Sequence, residues 1–192
     1  MTPPEAGKPL RADARRNRAR LLDVAEEVFA AKGTSASTEE IARAAGVGIG
    51  TVFRHFPTKE ALLEAVFVGR LRRLAEEADA LAAGDDPGGA FYAFFSRVVD
   101  HSPTKNAFAD ALTEAGVDVR SAASEAGQDV LRALSVLLDR AQHAGAVRAD
   151  VRAPEVIALL IGACRAAEYV GADDALRART LAVFMDGLRP RS

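Results

Sequence analysis

A chain of 192 residues, 49% apolar and 27% charged, has the balance of a soluble globular protein rather than a disordered one. It is long enough for one substantial core, or for a small module joined to a larger one. The lone cysteine, Cys164, excludes an intrachain disulfide and a cysteine-built metal cluster, and His55, His101 and His143 lack ligand-like neighbours at helical spacing. Neither a metal site nor a cofactor is therefore expected.

Net charge is −2, which by itself argues weakly against a nucleic-acid partner, but its distribution is uneven. Lys8, Arg11, Arg15, Arg16, Arg18 and Arg20 stand against only Asp13, whereas residues 61–192 hold 15 basic and 19 acidic side chains. A basic arm on an acidic body is the asymmetry of a protein that touches phosphate at one end. The run alone fits a solvated tail equally well. Polar, proline-containing Met1–Leu10 has no apolar signal segment, and the longest apolar run, Val156–Cys164, is about half a membrane span. A cytoplasmic protein with no membrane partner is expected.

Abundant Ala, Leu, Arg and Glu with few aromatics favour helix over strand, and no stretch alternates with period two for long. The expected fold is all-α, with a three-helix N-terminal helix-turn-helix domain, a C-terminal helical bundle and about nine helices. Residues 1–16 read as a flexible basic arm, 17–58 as the helix-turn-helix domain and 59–192 as the second domain. The first helix is expected from Asp13 or Asn17, with Leu21, Ala25, Val28 and Phe29 on one face, Glu26 and Glu27 toward water, and Gly33 at its end. Ser37 and Glu40 have capping-box spacing for a short second helix whose buried face is Ile41, Ala42 and Ala45. Gly46-Val47-Gly48 makes the turn, Ile49–Phe56 a two-turn helix, and Pro57 its stop, with Thr58 placed to cap the next helix. Beyond the break at 84–89, helices are expected at Ala90–His101, Thr104–Ala115, Ser121–Ala144, Pro154–Gly171 and Asp174–Leu188.

Two short helices about a glycine turn are the plan of a helix-turn-helix. Gly46 stands where the turn needs positive φ. Gly48, Gly50 and Thr51 give the second helix a slim start for the major groove, with Ile49 among the expected DNA contacts, while Val47, Val52 and Phe56 anchor it. Thr51, Arg54 and His55 would point toward the duplex. Lys59 lies at the first position of a helix, where the macrodipole disfavours a cation, and Arg15, Arg16 and Arg18 are misplaced in the same sense. A bound phosphate would relieve both conflicts.

Residues 17–67 resemble the DNA-binding domain of TetR-family regulators. The resemblance rests on Ala25, Phe29, Gly33, Thr38, Ile41-Ala42, Ala45-Gly46-Val47, Gly50, Phe56, Lys59 and Leu62. It implies that Thr38 and Lys59 hold phosphates, that Gly50 and Thr51 approach the groove closely, and that His55 bonds the backbone or a base edge. Phe53 stands where the family usually has tyrosine. The ring can still pack and touch a thymine methyl, but no hydroxyl remains for a phosphate, and Arg54 would compensate at phosphate or guanine.

The resemblance also implies a C-terminal ligand pocket and a two-fold interface formed by the last two helices. Val156–Val170 is apolar nearly all round and must be covered on two sides. The expected interface is Val156, Leu160, Ala163, Ala167 and Val170 with Leu181, Phe184 and Leu188 of the final helix. The expected pocket comprises Tyr92, Phe95, Val99, Phe108, Leu112, Leu134 and Leu138, with Arg165, Glu168 and Tyr169 as convergent polar groups. At helical spacing the aromatic stripe fits a plain core as well, and Arg165 and Glu168, three apart, suit a mutual ion pair. The implied partners are operator DNA, a second copy of the chain and a small-molecule effector. The leading reading is a ligand-responsive repressor on a palindromic operator; activation is a second. A helical-bundle carrier or enzyme is the competing class, although no nucleophile with a base, phosphate loop or paired carboxylates in a cleft is evident.

Overall fold

The computed structural model describes residues 8–100, 102–122 and 124–190, with side chains excepted at 8–15, 102–105, 120 and 122. Among the described residues every regular element is a helix: α1 (Lys8–Lys32), α2 (Thr38–Ala45), α3 (Ile49–His55), α4 (Lys59–Ala82), α5 (Pro87–Asp100), α6 (Ser102–Glu114), α7 (Val119–Ala122), α8 (Ser124–His143), α9 (Ala153–Val170) and α10 (Asp174–Asp186). The all-α expectation holds, and the extra element is the four-residue α7, which straddles the start of the helix expected over 121–144.

The start of α1 corrects the expected caps at Asp13 and Asn17. The helix already runs from Lys8, so residues 8–16 belong to it rather than to a flexible arm. Pro9 sits in the first turn, where its missing N–H is not needed, and Leu10, Arg11, Ala12, Ala14, Arg15 and Arg16 are helix formers. Residues 1–7 of the expected arm lie outside the described residues.

Two apolar cores divide the chain. The first gathers Leu21, Ala25 and Phe29 of α1, Ile41, Ala42 and Ala45 of α2, Val52 of α3 with Phe56 behind it, and Leu62, Leu63, Val66 and Phe67 of α4. Phe108 and Leu112 of α6 complete it, Phe108 meeting Phe29 edge to face at 5.6 Å. This core therefore continues well past residue 58, the expected end of the first domain. The second core packs α5, α8 and α9 around the C-terminal half of α4, from Ala75 onward. Each large side chain removed from water contributes about 1.5–3 kcal/mol, so α4, which enters both cores, ties them mechanically.

The outer layer is less complete. α10 buries no residue, although Leu181 and Phe184 lean on the second core. Ile161 and Tyr169 of α9 and Leu176 and Val183 of α10 are exposed, Tyr169 at 94% and Val183 at 72%. Among the described residues, no helix is long and apolar enough to cross a membrane.

Candidate DNA interface and effector cavity

The turn between α2 and α3 is fixed from both sides. Ser37 and Glu40 form the expected capping box, the Ser37 hydroxyl accepting from the Glu40 amide at 3.2 Å and the Glu40 carboxylate from the Ser37 amide at 3.0 Å. A hydrogen bond from Lys32 Nζ at 2.7 Å, with the bond from the Ser37 amide, holds the Glu40 carboxyl below its ordinary pKa. Gly46 ends α2 at φ +66°, and the following Val47 amide returns to the Ala42 carbonyl at 3.0 Å. This is a Schellman closure, and it needs the left-handed residue at Gly46.

That closure aims α3. Val52 is completely buried and Phe56 is 3% exposed, so one face of α3 is pinned to the first core. The opposite face carries Gly48, Ile49, Gly50, Phe53 and Arg54, with Thr51 and His55 half-buried at its edges. A Cβ added at Gly48 or Gly50 would meet nothing within 4 Å. Those glycines keep a surface slim; they fill no internal gap. Phe53 is 42% exposed, an aromatic ring left in water at the middle of that face.

The flanking groups expected at phosphates fall into three sets. Lys59 opens α4 and is half-buried, beside the Thr58 hydroxyl that caps the helix by accepting from the Ala61 amide at 3.1 Å. Arg16 and Arg18 are exposed on α1, and the Arg18 guanidinium lies 4.9 Å from the centroid of the Phe56 ring. Arg15 lies on α1, but its side chain is outside the described residues. Thr38, 8% exposed, has its hydroxyl turned to the neighbouring Glu39 carboxylate at 3.4 Å, so a phosphate there would have to compete with a local bond.

The ten residues expected around one pocket do not converge. Phe95, Val99, Leu134 and Leu138 belong to the solid second core, whereas Phe108 and Leu112 fill the first. Tyr92 is half-buried and donates its hydroxyl to the Ala146 carbonyl at 3.1 Å; burial raises its pKa. Arg165 instead grips Asp110 at 2.5 Å and Glu168 at 3.0 Å, and Glu168 also accepts from Asn106 at 3.1 Å, while Tyr169 points to solvent. The spacing of aromatics on α5 reported core, as helical periodicity usually does.

Most of the expected interface residues likewise turn inward. Val156, Leu160, Ala163, Ala167 and Leu188 are buried within the chain, Leu181 and Phe184 pack on the same core, and Val170 is half-buried. The uncovered stripe is the other face of the same helices, carrying Ile161, Tyr169, Leu176 and Val183.

A cavity that the sequence did not announce opens between α1, α4 and α5. It has a volume of about 440 Å³, is partly open to solvent, and is lined by Glu26, Phe67, Arg70, Leu71, Arg73, Leu74, Glu77, Arg97 and Val98. Glu26, expected in water, bridges to Arg70 at 3.5 Å and also to Arg73. Glu77 Oε1 is shielded from water and lies 2.6 Å from Arg97 Nη1, an ion-pair contact. The only local signal for it is the spacing Arg70–Arg73, one turn apart on a face whose partner lies 47 positions away in the chain.

A short helix pinned by its apolar side, a left-handed glycine turn and an exposed slim face define the DNA-binding helix-turn-helix class. Residues 21–66 match the description "Bacterial regulatory proteins, tetR family", and residues 86–190 match "Transcriptional regulator SbtR-like, C-terminal domain". Among solved structures, the TetR transcription regulatory protein from Mycobacterium vanbaalenii is 44% identical, with a TM-score of 0.76 over 94% of this chain and 99% of that one. The HTH-type transcriptional regulator SrpR of Pseudomonas putida is 37% identical over 112 residues, which are 56% of this chain and half of SrpR. The HTH-type transcriptional repressor KstR2 of Rhodococcus jostii is 39% identical over 72 residues, 37% of this chain and 34% of KstR2. The chain belongs to the TetR family of transcriptional regulators.

Proposed function

We propose that this regulator is a ligand-responsive repressor that binds a palindromic operator as a homodimer in the cytoplasm. The observation that carries the DNA half is the exposed face of α3. A surface with no internal reason for Gly48 and Gly50, and with Phe53 and Arg54 in water, is explained by close approach to a major groove. Thr51, Arg54 and His55 read bases or adjoining phosphates on this account. Arg15, Arg16, Arg18, Thr38 and Lys59 supply grip, with Thr38 breaking its local bond to Glu39 on binding.

The domain division that follows is a DNA-binding head ending within α4 and a body from there to the C-terminus. Two copies meet through the outward face of α9 and α10, where Ile161, Leu176 and Val183 would otherwise stay in water. Two-fold symmetry then presents two α3 helices to half-sites about 34–36 Å apart or a multiple of that. Repression follows the name of the KstR2 relative. No step of this reading needs chemistry on a substrate.

The test is retardation of the DNA flanking the protein's own gene, compared with scrambled DNA of equal length. Specific retardation that disappears in Arg54→Ala supports the reading. Equal affinity for both fragments at every salt concentration would sink it.

A further inference from the structure

The cavity between α1, α4 and α5 has unequal charges on an apolar wall. Arg70, Arg73 and Arg97 face it together with Glu26 and Glu77, so its lining carries three guanidiniums and two carboxylates. Phe67, Leu71, Leu74 and Val98 supply the rest of the lining. Its volume, about 440 Å³, lies within the range of small-molecule sites, which combine apolar walls with a few placed polar groups.

Arg70 is the group from which most water has been removed. Its side chain is 17% exposed, and its guanidinium lies 5.6 Å from the centroid of the Phe108 ring. Burial pushes its pKa below the ordinary arginine value, with Glu26 opposing that shift. Arg73, three residues on, reaches the same Glu26 carboxylate. Two forks on one carboxylate leave donors unmatched, because each guanidinium presents five N–H groups in a geometry suited to a carboxylate of its own.

Building on the ligand-responsive reading, we propose that this cavity is the effector site and that its effector is a small amphipathic monoanion. Its carboxylate takes the place of Glu26 on Arg70 and Arg73, and its apolar body lies against Phe67, Leu71, Leu74 and Val98. The incoming carboxylate keeps the two guanidiniums matched once Glu26 has left; a cation would leave them without a counter-charge and add to the positive surplus.

The position of Glu26 gives the binding event a consequence. Glu26 is on α1, which about two turns earlier meets Phe56 behind α3 through Arg18. A ligand that displaces Glu26 unties α1 from the middle of α4 and loosens the frame that sets α3. Effector and DNA then oppose one another through α1, with a coupling in the range of about 5–150-fold typical of such linkage.

Calorimetric titration of the full chain with octanoate, octylammonium and 1-octanol tests the ligand class. Octanoate should bind at least about tenfold tighter than the other two, and Arg73→Ala should remove that preference. Glu26→Gln should bind octanoate more tightly, since the internal competitor is weakened, an effect that a merely structural ion pair would not give. Octanoate should also weaken retardation of the operator fragment by about tenfold. Equal binding of octanol or octylammonium, weaker octanoate binding by Glu26→Gln, or unchanged retardation would each overturn the proposal. Specific retardation without octanoate selectivity removes this inference and leaves the regulator reading standing. Absence of specific retardation removes the regulator reading itself.

Discussion

The guanidinium of Arg18 lies 4.9 Å from the centre of the Phe56 ring, joining the chain's first helix to the residue that closes α3. Phe56 is nearly buried, while Arg18 is exposed, so the contact covers the ring from its solvent side. Such a pair is worth about 0.5–1 kcal/mol at an exposed site. Arg18→Ala should lower unfolding stability by about that amount in urea titration and weaken DNA binding as well. Arg18→Lys should recover most of the phosphate attraction but less of the stacking.

Gly50 separates fold from function. No atom lies within 4 Å of where its Cβ would stand, so Gly50→Leu has room in the free protein. Its thermal midpoint should stay close to that of the parent, while affinity for the operator falls at least about tenfold, because the added branch occupies the groove-facing surface. A variant that loses stability as much as affinity would contradict the placement of Gly50 on the DNA-reading face.

Gly46 is the reverse case. The nearest atom to its absent Cβ is Arg20 Nη2 at 4.0 Å, so Gly46→Ala meets no clash, yet φ is +66°. The cost is the left-handed conformation alone, about 1–2 kcal/mol. Gly46→Asn, which tolerates that region better, should cost less, and denaturation of the pair measures the difference.

Lys59 should behave as a phosphate contact with no base preference. Lys59→Ala is expected to weaken binding to operator and scrambled DNA by similar factors. The slope of log affinity against log salt should fall by about 0.9. A loss confined to one sequence would reassign the residue to base readout.

Asp110 provides a pH test away from the DNA face. The hydrogen bonds from Arg165 hold its carboxyl below the usual range. A carboxyl with a depressed folded-state pKa adds stability above its unfolded pKa of about 3.9, and that stability is lost as pH falls through the folded value. Asp110→Asn should therefore lower the urea midpoint at about pH 6, and the difference from the parent should shrink as pH drops toward about 3. With both partners about half exposed, solvent screening keeps the effect small.

Local chemistry makes the DNA-binding head legible in the sequence. Ser37 and Glu40, Gly46, Pro57 and Thr58 act on neighbours within a few positions, and the fold realises the capping box, the left-handed turn and the α4 cap where those residues stand. The buried side of α3 follows from Val52 and Phe56 for the same reason. The start of α1 is less legible, because helix-forming Arg and Ala residues run straight through the expected caps at Asp13 and Asn17.

Residue pattern alone thus specifies an all-helical regulator with a helix-turn-helix whose slim face begins at Gly48. Which faces of the remaining helices turn inward is decided by packing between distant segments. An apolar helix such as α9 has no periodic contrast to orient it, so Val156, Leu160 and Ala163 fit a partner's surface as well as an internal one until the body's own core claims them and leaves Ile161 outside. The cavity is hidden from the sequence for a related reason. Glu26 on α1 meets Arg70 and Arg73 on α4 only when both helices pack, and beyond the one-turn spacing of the two arginines nothing in the local pattern marks that pairing.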